Sequence, residues 1–158
     1  MEILFYGAAI SLLLYWIIGF FRKHKMSIHN APNEFHSPKT ADDWLSDFDK
    51  LRLDGELTVE FGEYSNTILA NFDPITAGIF NQYKSVFVPQ GDLIICLERY
   101  QNKNSGDKYV IGASETDRYW FYIKKNDPRV YSYSFDSDWD DVSDIYENII
   151  DLIVDYAS

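Results

Sequence analysis

The chain has 158 residues and carries 25 Asp and Glu against 14 Lys and Arg, a formal net charge of -11. That length suits one domain, and that charge repels phosphate backbones, so a nucleic-acid partner is not expected and a basic protein partner is favoured. Aromatic residues make up 17% of the chain, too many for a disordered one, and the lone Cys96 excludes an internal disulfide.

Residues 3–21, "ILFYGAAISLLLYWIIGFF", hold no charged side chain. As a helix such a run rises ~28 Å, close to the ~30 Å thickness of bilayer hydrocarbon. The basic cluster "RKHK" (Arg22 to Lys25) follows at once. Residues 1–25 are therefore predicted to be a single-pass anchor in the inner (cytoplasmic) membrane, with the C-terminal domain facing the cytoplasm. A cleaved signal peptide fits less well, because no basic residue precedes Ile3 and no small residues follow Phe21. Residues 26–39, with Pro32 and Pro38, read as a linker. His24, His29 and His36 with one cysteine make no familiar zinc spacing, and no metal or other cofactor is expected.

Residues 40–158 read as an α+β domain, a mostly antiparallel sheet flanked by helices and preceded by the N-terminal transmembrane helix. Thr40 is a candidate N-cap, with Asp42 and Asp43 in the first turn of a helix carrying Trp44, Leu45, Phe48 and Leu51 on one face. Asp54-Gly55 ends it. "ELTVEFGEY" alternates from Leu57 to Phe61 as a strand, and Pro74 opens a short helix with Ile75, Ile79, Phe80 and Tyr83. "LIICL" (Leu93 to Leu97) reads as a buried strand. "YVIGAS", "RYWFYIKK" and "RVYSYSF" follow as an antiparallel meander. A final helix is predicted from Asp141 to Tyr156, with Val142, Ile145, Tyr146, Ile149, Ile150 and Ile153 at helical spacing.

Between the last strand and that helix, Asp136, Asp138, Asp140, Asp144 and Glu147 fall at positions 1, 3, 5, 9 and 12 of a calcium-loop pattern. The sixth position, which needs glycine for its sharp turn, is Asp141, and a strand precedes the loop where a helix is required. Helix capping is the simpler reading, and Asp144 with Glu147 has capping-box spacing. Capping uses only one or two acids, though, and Trp139 sits among them. It either folds back over the final helix or, exposed and ringed by carboxylates, forms a hot spot for a basic protein. The candidate partner-binding residues are Asp136, Asp138, Trp139, Asp140 and Asp141. The lone cysteine, Cys96, has no histidine nearby in sequence, and Gly112 stands alone as a strand bend rather than in a phosphate loop. No enzymatic activity is expected.

Residues 106–156 carry "YVIGASETDRYWFYI", "VYSYSFDSDWDD" and "VSDIYENIIDLIVDY". This succession resembles the SUKH superfamily, a group rich in bacterial toxin-immunity proteins. There a strand of the form Y-x-I-G leads to an aromatic strand, a V-Y-x-Y-D-x-D strand end and a closing amphipathic helix. By this likeness Asp136 and Asp138 are the strand-end acids, and Ile145 and Tyr146 begin the packed face of the helix. The N-terminal half lacks the family's proline-led segment and its N-G-G-like turn. The resemblance implies an α+β domain that binds and neutralises a cognate protein toxin without catalysis, here through an acidic surface and from a membrane anchor. The alternatives are a membrane-anchored adaptor or accessory subunit of another complex and, more remotely, a calcium-responsive domain.

Overall fold

The computed structural model describes residues 38–137 and 141–158. Helix α1 (Ala41–Asp54) begins as its sequence dictates. The Thr40 amide donates to Asp43 Oδ2 at 2.8 Å and the Asp43 amide to Thr40 Oγ1 at 3.3 Å, a reciprocal cap. It ends at Gly55, whose φ of 81° continues the chain where a Cβ would be strained. The chain then runs through β1 (Thr58–Phe61), the short helix α2 (Asn66–Leu69) and α3 (Pro74–Phe80). Asp73 caps α3 by accepting from the Ile75 and Thr76 amides, and proline takes the first helical position, where no amide is needed.

Strands β2 (Tyr83–Val88) and β3 (Leu93–Ile95) lead into the one-turn helix α4 (Leu97–Tyr100). The meander β4 (Lys108–Ser114), β5 (Tyr119–Lys124) and β6 (Val130–Ser134) follows, then β7 (Ile145–Tyr146) and helix α5 (Ile149–Ala157). The seven strands lie side by side in chain order, each antiparallel to the next. Helices α1, α3 and α5 contact one another, and one core forms from α1, α3, α5 and the inward sheet face. Phe48, Phe80, Ile95, Phe121, Ile149 and Leu152 are sealed within it. Gly112 is a bend, as expected: the β4–β5 register slips between Val110 and Gly112, and a Cβ there would lie 2.6 Å from the Ile94 carbonyl oxygen.

Period-two alternation turns every second side chain of β4 to β6 to the other sheet face. There Tyr100, Val110, Tyr122, Tyr131 and Tyr133 make a second, smaller buried cluster edged by Trp120 and Phe135. Tyr122 stacks on Tyr131 at 5.2 Å and meets Tyr133 edge-on at 5.7 Å; Trp120 lies 4.5 Å from Phe135.

Three expectations are corrected. No helix among the described residues is long and apolar enough to cross a membrane. The longest, α1, has 14 residues, a rise of ~21 Å against ~30 Å of hydrocarbon. Residues 3–21 lie outside the described part, so the fold class is α+β, an antiparallel sheet flanked by helices, and the expected transmembrane helix is not part of it. The final helix begins at Ile149 rather than Asp141, because Ile145 and Tyr146 pair with Tyr131 and Val130 as a strand. Tyr83 belongs to β2 and not to α3: it pairs with Phe61 across a bulge at Lys84 in β2.

Candidate partner-binding surface

The chain leaves β6 at Ser134 and returns as β7 at the sheet edge, so the element that follows the expected acidic junction is a strand and not a helix. Helix α5 takes its cap from Asn148, whose Oδ1 accepts from the Ile150 amide at 2.9 Å and the Asp151 amide at 3.1 Å. Neither Asp144 nor Glu147 forms the predicted capping box. The Asp144 amide instead donates to Ser132 Oγ at 2.8 Å, and the Ser132 amide donates to the Asp144 carbonyl at 3.0 Å. The Glu147 amide donates to Asp151 Oδ2 at 3.0 Å. These bonds fix the return of the chain against β6.

Of the five candidate residues, Asp136 and Asp141 are described and exposed; Asp138, Trp139 and Asp140 lie outside the described residues. Asp136 receives both its carboxylate contacts from Arg118 Nη2, at 3.0 and 3.1 Å, while the Arg118 guanidinium lies 5.6 Å from the Phe135 ring. The pair is open to solvent on both sides, and such pairs contribute ~0–1 kcal/mol. Asp136 can therefore exchange Arg118 for another cation at little cost.

The sequence reading missed the apolar part of this surface. Val142 is 37% exposed and Ile145 is 57% exposed, although helical spacing had placed both in the core. They alternate with exposed Asp141, Ser143 and Asp144, and Glu147 is exposed beyond them. In a two-residue strand the side chains part: Ile145 faces out, while half-buried Tyr146 packs towards Phe121 at 6.3 Å between ring centres. Burial pushes the Tyr146 hydroxyl pKa well above its ordinary value, with Tyr156 adding to the effect. The available signal was the placing of Val142 and Ile145 among Asp141, Ser143, Asp144 and Glu147, which a helix template absorbs.

Strand β7 pairs with β6 alone and ends the sheet. Its outer edge is short and flanked by acids, the pattern by which natural sheets avoid indiscriminate pairing while a matched partner can still dock. Among the described residues no group of three or more histidine, cysteine or acidic side chains is placed to hold a metal ion. These features define an α+β domain whose last sheet edge displays apolar side chains between carboxylates. No protein-family model matches the chain, and neither a curated protein nor a solved structure does.

Proposed function

We propose that this chain is an immunity protein that binds and neutralises a cognate protein toxin through the acidic surface around β7. The observation that carries the reading is the Asn148 cap. With α5 capped there, the described acids Asp136, Asp141 and Asp144 are not consumed in stabilising a helix end, and they stand exposed, Asp141 and Asp144 beside exposed Val142 and Ile145. An apolar centre inside a charged rim is how hot spots exclude water while the rim selects the partner. A chain of net charge -11 would attract a basic toxin over long range and hold its register at contact. The resemblance of residues 106–156 to the SUKH superfamily supports the same assignment. The charge of that surface also makes a basic protein a better partner than a nucleic acid.

The test is growth rescue. The full chain is co-expressed with a toxin encoded beside it, and compared with Ile145→Asp and with Asp141→Lys. Loss of a buried apolar anchor or reversal of a rim charge at a hot spot costs ~2 kcal/mol or more, roughly a 30-fold loss of affinity. Both variants should fold and fail to rescue. Rescue undiminished in both would remove β7 and its loop from the interface. Failure of the native chain to rescue, together with its stable incorporation into an unrelated complex, would favour an adaptor subunit.

A further inference from the structure

Beside the start of β4 lies a half-open cleft of about 430 Å³. That volume is within the range of roughly 300–1,000 Å³ typical of sites that enclose a ligand group. Its floor is aromatic: Tyr64 and Phe72 are buried, Tyr109 is half-buried, and the Phe72 and Tyr109 rings meet edge-on at 5.4 Å. Ile68, 40% exposed, forms one wall.

The cleft is held open by hydrogen bonds in its own lining. The Tyr64 hydroxyl donates to the Lys84 carbonyl at 2.9 Å and accepts from the Glu98 amide at 3.4 Å, tying the loop after β1 to α4. Burial pushes that hydroxyl's pKa up to about 12, with Cys96 adding to the effect, so it remains a donor at any physiological pH. The shape therefore needs no ligand to form.

Its rim is acidic. Glu63 and Glu98 line the cleft and are exposed, no lining residue is basic, and neither carboxylate has a hydrogen bond or ion pair among the described residues. The nearest cations in sequence are engaged elsewhere: Arg99 lies over Tyr100 at 5.6 Å and Lys103 over Trp120 at 4.3 Å. Flat aromatic faces beside two uncompensated carboxylates suit a guanidinium, which packs its plane on rings and donates its N–H fork to carboxylate oxygens.

We propose that this cleft receives an arginine side chain presented by a basic partner protein. The inference rests on the reading of the chain as a binder of such a partner, but not on the acidic loop as its interface. Tyr109, at the start of β4, pairs with Ile123, which pairs with Val130; the acidic loop leaves after Ser134, at the register of Tyr119 and Ser114. Five residues of strand, roughly 17 Å, separate the two levels. The chain returns to the level of the cleft at β7, where Tyr146 pairs with Val130, three strands or roughly 14 Å from Tyr109, so one partner can fill the cleft and touch Ile145.

The experiment is a methyl-NMR titration of the full chain carrying isoleucine δ1-methyl labels. The probes are the blocked tripeptide Gly-Arg-Gly, the same peptide with citrulline for arginine, and agmatine. The arginine peptide should move the Ile68 methyl saturably, and the uncharged citrulline peptide should leave it in place. Glu63→Gln with Glu98→Gln should weaken the response at least tenfold, with the Ile95 and Ile111 methyls unmoved as evidence of an intact core. Asp136→Lys with Asp141→Lys should leave the Ile68 response unchanged, so loss of the acidic-loop reading would not take this one with it. Equal binding of the citrulline peptide, or movement of Ile145 in place of Ile68, would overturn the proposal. So would a response to agmatine with none to the peptide, which would identify a site for a free amine.

Discussion

Asp127 collects more donors than any surface acid needs. Arg129 gives its Nε to Oδ1 at 2.9 Å and its Nη2 to Oδ2 at 2.7 Å, its amide adds 3.0 Å to Oδ1, and the Tyr131 hydroxyl donates to Oδ2 at 2.9 Å. The Arg129 hydrogen bonds hold this carboxyl well below the usual carboxylate range. Unfolded, it titrates near ~3.9. A folded pKa below the unfolded one means stability that is present above about pH 4 and lost as pH falls through the folded value. Asp127→Asn removes the charge-assisted part of the cluster and should cost about 1.5 kcal/mol at neutral pH, the low end of the range for bonds to charged groups because Arg129 is exposed. Its urea midpoint should then fall less steeply than that of the native chain between about pH 4 and pH 2. Parallel midpoint curves across that interval would show that Asp127 does not carry the linkage. Arg118 and Asp136 offer a contrast of geometry: one nitrogen serves both oxygens, and both side chains stand in water.

Helix α5 depends on its cap because every other part of its first turn is apolar or acidic. Asn148 is 1% exposed and satisfies two amides that would otherwise be buried without a partner. Asn148→Ala should destabilise the domain by ~1–2 kcal/mol, the upper part of the usual N-cap range, and Asn148→Asp should restore most of it. Chemical denaturation reads both; an alanine variant as stable as the native chain would mean that water replaces the cap. The same junction marks where sequence patterns lose their meaning. Thr40 with Asp43, Pro74 after Asp73, and the strands around Val110, Phe121 and Tyr133 were legible because local chemistry and tertiary packing agree there. From Val142 to Tyr146 they disagree: the apolar spacing continues the α5 pattern backwards by coincidence, while pairing with β6 fixes an extended chain. The acids were legible as charge, but the exposure of Val142 and Ile145 was not, since it follows from the edge position of β7. Strand β2 was lost for a related reason. The apolar spacing of α3 runs on into Tyr83, and only the antiparallel pairing with β1 and β3 separates them.

Charge is segregated across the whole molecule. From Ala31 onward there are 24 acidic and 11 basic side chains. Six of those bases, Arg99, Lys103, Lys108, Arg118, Lys124 and Arg129, lie over aromatic rings of the outer sheet cluster. Their stems cover apolar surface while their charges sit above ring faces, so they contribute packing as well as electrostatics. The acids are left to dominate the rest of the surface, including the β7 edge and the Glu63 and Glu98 rim. Two effects of opposite sign follow from this division. Lys103 lies 4.3 Å from the Trp120 ring centre and Lys124 lies 4.4 Å from that of Tyr131, with no ring shared. Replacing each by alanine should cost ~0.5–1 kcal/mol, and the double variant roughly the sum. The same double change makes the chain two charges more negative. It should therefore speed association with a basic partner at low ionic strength, an advantage that disappears as salt shortens the screening length. Urea denaturation and stopped-flow association at two salt concentrations measure the two effects. A double variant that loses stability but associates more slowly at low salt would place these lysines inside the interface and move it from the β7 edge to the outer sheet face.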